Sequence, residues 1–125
     1  MAYSYDPTNI FARILRGEIP NKTVFETDHT LAFEDIRPHA PVHVLVIPKG
    51  PYVCFDHFAA DASAEEIADF HRATAEVCRK LGLSPGEGGP GYRILSNAGD
   101  HGHQEVPHYH LHLLAGRPLG PMLAR

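Results

Sequence analysis

Residues 107–114, Pro-His-Tyr-His-Leu-His-Leu-Leu, constrain this chain more than any other stretch. His108, His110 and His112 alternate strictly with Tyr109, Leu111 and Leu113. That is the period of a β-strand, whose side chains point to opposite faces in turn. The spacing therefore predicts a strand over 107–114 with Tyr109, Leu111 and Leu113 toward a core and three imidazoles on the other face. Polar groups so placed are costly to cover unless they hydrogen-bond or act on something. The run is internal and alternates with apolar residues, so it is not a purification tag.

The rest of the chain is compatible with one soluble domain, 1–125, with an irregular tail from about residue 116. At 125 residues and 43% hydrophobic content it can bury a core of its own. The net charge of −4 carries no basic footprint, which argues against a duplex nucleic acid partner. Cys54 and Cys78 lie far apart and form neither a disulfide framework nor a Cys-type zinc motif. There is no membrane-length apolar run and no signal-peptide pattern at the N-terminus, so a cytoplasmic location is expected.

In chain order, Asp6-Pro7-Thr8-Asn9 opens a short helix with Phe11, Ile14 and Leu15 on its apolar face and Gly17 as its stop. Thr23–Glu26 and His29–Glu34 read as a hairpin across Thr27-Asp28. Val42–Ile47 is apolar on both faces, as in a strand covered on both sides. His43 within it is a buried polar group that needs a partner. Ser63-Ala64-Glu65-Glu66 is a capping box opening a helix to Leu81, with Ile67, Phe70, Thr74, Val77, Cys78 and Leu81 as its buried stripe. Tyr92–Ser96 is a further strand. The loop from Asn97 to Gln104 holds Gly99 and Gly102 and leads into the histidines.

Two chemistries suit three histidines on one strand face. Imidazole is a common zinc ligand, but the Cα atoms of His108 and His112 lie about 13 Å apart along a strand, so at most two converge on one ion. Neutral imidazole is also a nucleophile and proton carrier near neutral pH. A glycine-bearing loop can aim N–H groups at an anion, with Asn97 and Gln104 adding neutral donors. Taken alone the loop is equally a surface turn, and a single strand histidine such as His43 is more often structural. The combination suits a phosphoryl group better than a bare metal.

These residues resemble the histidine triad superfamily, named for the His-φ-His-φ-His-φ-φ motif. The likeness extends to the Hint branch, the histidine triad nucleotide-binding proteins. It is carried by Ile10-Phe11, Arg16 to Pro20, Leu31 to Ile36, Ala40 to Lys49, Gly91-Tyr92-Arg93, Asn97 to His108 and Gly116-Arg117. The resemblance implies an α+β fold, an antiparallel sheet of about five strands with two helices, in a symmetric homodimer. It implies hydrolysis at the α-phosphate of purine nucleotides such as nucleoside phosphoramidates, without metal or other cofactor. His110 would attack and become nucleotidylated, and His112 would give a proton to the leaving group. His108 and His43 would orient the triad, and Asp35 would bind the ribose hydroxyls. Ile10, Phe11, Phe33 and Ile36 would wall the base pocket, and Asn97 and Gln104 would contact phosphate or ribose. Plain core packing is as good a reading for each wall residue. A nucleotide-binding module without turnover and a His-ligated metal protein are the rival functions.

The chain departs from the family pattern at Glu105, where a hydroxyl residue is usual beside the phosphate, at Pro107, and in a tail without tryptophan. Glu105 is expected to face the leaving group and pair with His103 or His112. His101 and His103 read as surface residues.

Overall fold

The computed structural model describes residues 3–124 of the chain. Asn9 caps the first helix, α1 (Ile10–Leu15), by accepting the Ala12 N–H on its side-chain oxygen, and Gly17 follows with a left-handed φ of 79°. β1 (Thr23–Glu26) and β2 (Thr30–Glu34) form the expected hairpin. The Thr27 hydroxyl closes the turn by accepting the N–H groups of His29 and Thr30. β2 begins one residue later than the alternation predicts. β3 (Val42–Pro48) is the central strand.

Two helices follow β3 where one was expected. α2 (Phe55–Asp61) precedes α3 (Ala64–Lys80), so the sheet carries three helices. α2 has seven residues and no side-chain N-cap bond, too short and too weakly signalled for a helical period to emerge. The capping box of α3 is present as read, with Ser63 accepting from the Glu66 N–H and the Glu66 carboxylate accepting from the Ser63 N–H. β4 (Arg93–Leu95) and β5 (Leu111–Ala115) complete a five-stranded antiparallel sheet of order β1-β2-β3-β5-β4.

The sheet separates two apolar layers. One face holds Val44, Val46, Tyr109 and Leu113 against Phe58 of α2 and Phe70, Val77 and Cys78 of α3. The other face holds Phe33, Leu45 and Ile47 against Phe11 and Ile14 of α1. β3 is covered on both sides, as its apolar run requires. The register opposes Leu45 to His112 and His43 to Leu114, which puts His43 and His112 diagonally adjacent on the α1 face.

The paired strand starts at Leu111, not at Pro107. His108, Tyr109 and His110 continue the alternation of sides beyond the ladder, with Tyr109 in the α3 core and Phe11 edge-on to both His108 and His110. Cys54 and Cys78 are buried free thiols. The tail past Gly116 is irregular and is held to β4 by Arg93, whose guanidinium donates to the carbonyls of Gly120 and Pro121. Among the described residues no helix is long and apolar enough to cross a membrane.

Candidate active site

Each of the four histidines on the α1 face has a tautomer dictated by its partners. His108 is 1% exposed. Its Nε2 lies 2.8 Å from the Pro48 carbonyl oxygen, which can only accept, so Nε2 carries the proton. Its Nδ1 is therefore a bare lone pair and accepts from the Tyr5 hydroxyl at 2.6 Å. Burial pushes its pKa down to about 4, which keeps the ring neutral.

His110 has the opposite tautomer. Its Nδ1 is 2.7 Å from the carbonyl oxygen of His108 and must donate. The lone pair then sits on Nε2, which has no protein partner among the described residues. No buried side-chain nitrogen or oxygen there lacks a partner, so this lone pair is open to solvent. Burial lowers the pKa of His110 as well. A neutral imidazole with an accessible lone pair, braced through its other nitrogen, has the form of a nucleophile.

A second chain of bonds sets His112. The backbone N–H of His39 donates to His43 Nδ1 at 3.0 Å, so His43 carries its proton on Nε2. That Nε2 is 2.9 Å from His112 Nδ1, which accepts. A neutral His112 is left with its proton on Nε2. Burial first, then the neighbouring histidines, pushes its pKa down to about 4, while the Asp35 carboxylate pulls the other way. The rings of His110 and His112 are 5.0 Å apart between centroids. One therefore offers a lone pair, and its neighbour an N–H.

Asp35 Oδ2 lies 3.5 Å from His43 Nε2, and Oδ1 accepts the Arg37 N–H at 2.7 Å. Asp35, His43 and His112 bring three potential ligand atoms within 4.8 Å of one another. The His43 nitrogen facing the other two is protonated, however, and a metal requires its lone pair. In this hydrogen-bonding state His43 has no lone pair left to offer a cation.

The remaining expected residues fall into two groups. Phe11 and Phe33 are buried with their rings 5.6 Å apart, and Phe11 stands edge-on to His110 at 5.0 Å. Ile10 is on the exposed side of α1. Ile36 is 88% exposed. Asn97 is half-buried. Gln104 braces the loop: its amide donates to the carbonyls of Val53 and Val106. Glu105 points to solvent, where its carboxylate is 3.3 Å from His103 Nε2, and both side chains are about four-fifths exposed. Its expected partner is there, but the pair stands outside the imidazole cluster.

Sequence reasoning missed Tyr5, the Pro48 carbonyl and the His39 backbone N–H. All three set tautomers, yet a backbone atom leaves no trace in residue type, and Tyr5 is 103 positions from its partner.

An α+β sheet with four interlocked imidazoles on one face defines a histidine-triad-like protein. The family comparison agrees: residues 16–119 match the HIT domain model, and the chain belongs to that family. It is 59% identical to a HIT-like protein of Azospirillum brasilense across all of this chain and 99% of that one. It is 44% identical to the purine nucleoside phosphoramidase of Escherichia coli, with 92% of each chain covered. A HIT family hydrolase from Legionella pneumophila superposes with a TM-score of 0.78 at 40% identity, covering 89% of this chain and 95% of that one.

Proposed function

We propose that the protein is a nucleotide-binding hydrolase acting at the α-phosphate of purine nucleoside phosphoramidates or related nucleotides, through a nucleotidyl-histidine intermediate on His110. One observation carries the reading: the accessible Nε2 lone pair of His110 beside the Nε2–H of His112. The name of the Escherichia coli relative supports the substrate class.

His110 Nε2 attacks phosphorus, and the positive charge that develops on its ring is held by the Nδ1–H bond to the His108 carbonyl. The substrate's phosphate is anionic, so it reverses the push that burial exerts and favours an extra proton on the His43–His112 pair. Asp35 favours that proton as well. The proton leaves with the amine as the P–N bond breaks. Water then attacks the nucleotidyl-His110, returns a proton to the pair and frees the enzyme. Asp35 Oδ2 takes the ribose hydroxyls, Phe11 and Phe33 with Ile10 and Ile36 wall the base, and Asn97 and the loop backbone face the phosphate, while Gln104 holds that loop in shape through its bonds to the Val53 and Val106 carbonyls.

The reading includes a single domain, a cytoplasmic location and a homodimer. β4 is a three-residue edge strand with Ile94 and Leu95 exposed, and Tyr92 just before it is exposed as well. Beside it α3 leaves a groove of about 400 Å³ lined by Phe55, Cys78, Ile94 and Leu111. An apolar edge of this kind is covered in stable proteins.

The test is incubation with a panel of nucleoside phosphoramidates and dinucleotides, with products followed directly and the His110 adduct trapped by acid quench. Release of nucleoside monophosphate together with an adduct supports the reading. Tight binding of the monophosphate without turnover of any panel member leaves only a binding module.

A further inference from the structure

The nucleophile is held through a residue that the sheet itself does not hold. His110 Nδ1 donates to the carbonyl of His108, but the β5 ladder begins only at Leu111. His108 is instead fixed locally: its own N–H donates to the Val106 carbonyl, the following N–H of Tyr109 donates to the Tyr52 carbonyl at 2.7 Å, and its ring is gripped at both nitrogens. One grip is the Pro48 carbonyl at the end of β3 and the other is the Tyr5 hydroxyl.

Tyr5 is not a stray terminal side chain. Two residues before it, Tyr3 stacks on His57 at 4.9 Å between ring centroids and donates to the Asp56 carboxylate. After it, Asp6 caps the turn through the N–H and hydroxyl of Thr8, and the Arg16 guanidinium donates to the Pro7 carbonyl. The segment is thus moored to α2 on one side and α1 on the other, with Tyr5 against the imidazole cluster.

Resting on the proposed hydrolysis, we propose that Tyr5 is a positioning residue: its hydroxyl clamps the His108 ring and so aims the His108 carbonyl that holds the His110 nucleophile in its Nδ1–H tautomer. Tyr5 touches neither substrate nor reacting atoms. Its loss leaves His108 Nδ1 as a buried acceptor without a partner, free to rotate away from Pro48.

The test is Tyr5→Phe, which keeps the ring that packs edge-on against His108 at 5.6 Å and removes only the hydroxyl. Tyr3→Phe serves as the control, since it loosens the same segment without touching His108. Two readouts are taken. In two-bond ¹H–¹⁵N spectra of the ring nitrogens, Tyr5→Phe moves His108 and gives His110 a mixed tautomer, while Tyr3→Phe leaves both unchanged. In turnover, Tyr5→Phe lowers kcat by about tenfold with KM within about twofold, the pattern of a displaced catalytic group rather than lost binding. Unchanged His110 spectra in Tyr5→Phe overturn the proposal, as does an equal effect of Tyr3→Phe. The spectra decide the role of Tyr5 even if the wild-type protein turns over no phosphoramidate, an outcome that would count against the hydrolase alone.

Discussion

Five histidines lie within twelve residues, yet they fall into two regions with different physics. His101 and His103 stand in solvent on the loop that precedes β5. His108, His110 and His112 stand under Phe11 and beside His43, where both nitrogens of His108 and one each of His110 and His112 are bonded within the protein. Burial makes the difference. It removes water as a partner, so each ring takes the one tautomer its neighbours allow, and it lowers the pKa, so each ring stays neutral at pH 7. The loop histidines have water on most sides.

The strongest attack on this contrast is His110→Ala. It removes the one accessible lone pair, so single-turnover nucleotidyl transfer is expected to fall about 10³-fold or more. Calorimetry is expected to find monophosphate binding largely intact. Activity above a tenth of wild type would take the nucleophile away from His110.

Asp35→Ala probes the rim of the buried cluster. The carboxylate's bonds to a ribose diol are charge-assisted, and their loss is expected to weaken monophosphate binding by about 1.5–3 kcal/mol. Deoxynucleotides are expected to lose less. Equal losses for the two sugars would show that Asp35 serves the His43–His112 pair and not the ribose.

Acid sharpens the contrast without mutation. The folded-state pKa of His108 and that of His112 are about 4, below the ordinary 6.5 of an unfolded histidine. Between those values the unfolded chain binds more protons, so stability is full above about pH 6.5 and declines as the pH falls toward 4. His110 and His43 shift in the same direction. Thermal melts are expected to drop through this window. Melting temperatures that stay flat across it would show that the buried rings take up protons as readily in the folded chain as in the unfolded one.

The smallest effects belong to the loop. His103 has a φ of 59°, a left-handed conformation that costs a non-glycine residue roughly 1 kcal/mol or more. Gly102 beside it has no room for a Cβ, which would come 2.6 Å from the Ala98 carbonyl. His103→Gly is expected to raise stability by up to about 1 kcal/mol in denaturant melts, after the flexibility glycine adds to the unfolded chain. Glu105→Ser breaks the exposed His103 pair and is expected to change kcat/KM ratios between cationic and anionic leaving groups by less than about threefold, since exposed ion pairs are worth little. A larger change would mean that Glu105 turns inward when substrate is bound.

Much of this was legible because it rests on local repetition. The alternation at 107–114 assigned Tyr109 and Leu113 to one face and the imidazoles to the other, even though the ladder starts four residues later than the run. Ser63 and Glu66 marked the start of α3, because a capping box is a bond between near neighbours. α2 escaped notice because seven residues hold too few turns for a period. Gln104, expected at the phosphate, has its amide hydrogens directed to backbone carbonyls 51 and two residues away. A glutamine's donors look the same in sequence whichever acceptor they meet.

The sequence by itself determined that three imidazoles share a face, that β3 is covered on both sides, and that a glycine-bearing loop leads to the site. Those properties follow from side-chain period and backbone preference, which neighbouring residues set. The tertiary structure decided which nitrogen carries a proton on His108 and across the His43–His112 pair. That choice belongs to whichever acceptor or donor lies within 3 Å, and here these are the Tyr5 hydroxyl, the Pro48 carbonyl and the His39 N–H, brought there by the packing of α1 and the pairing of β3 with β5.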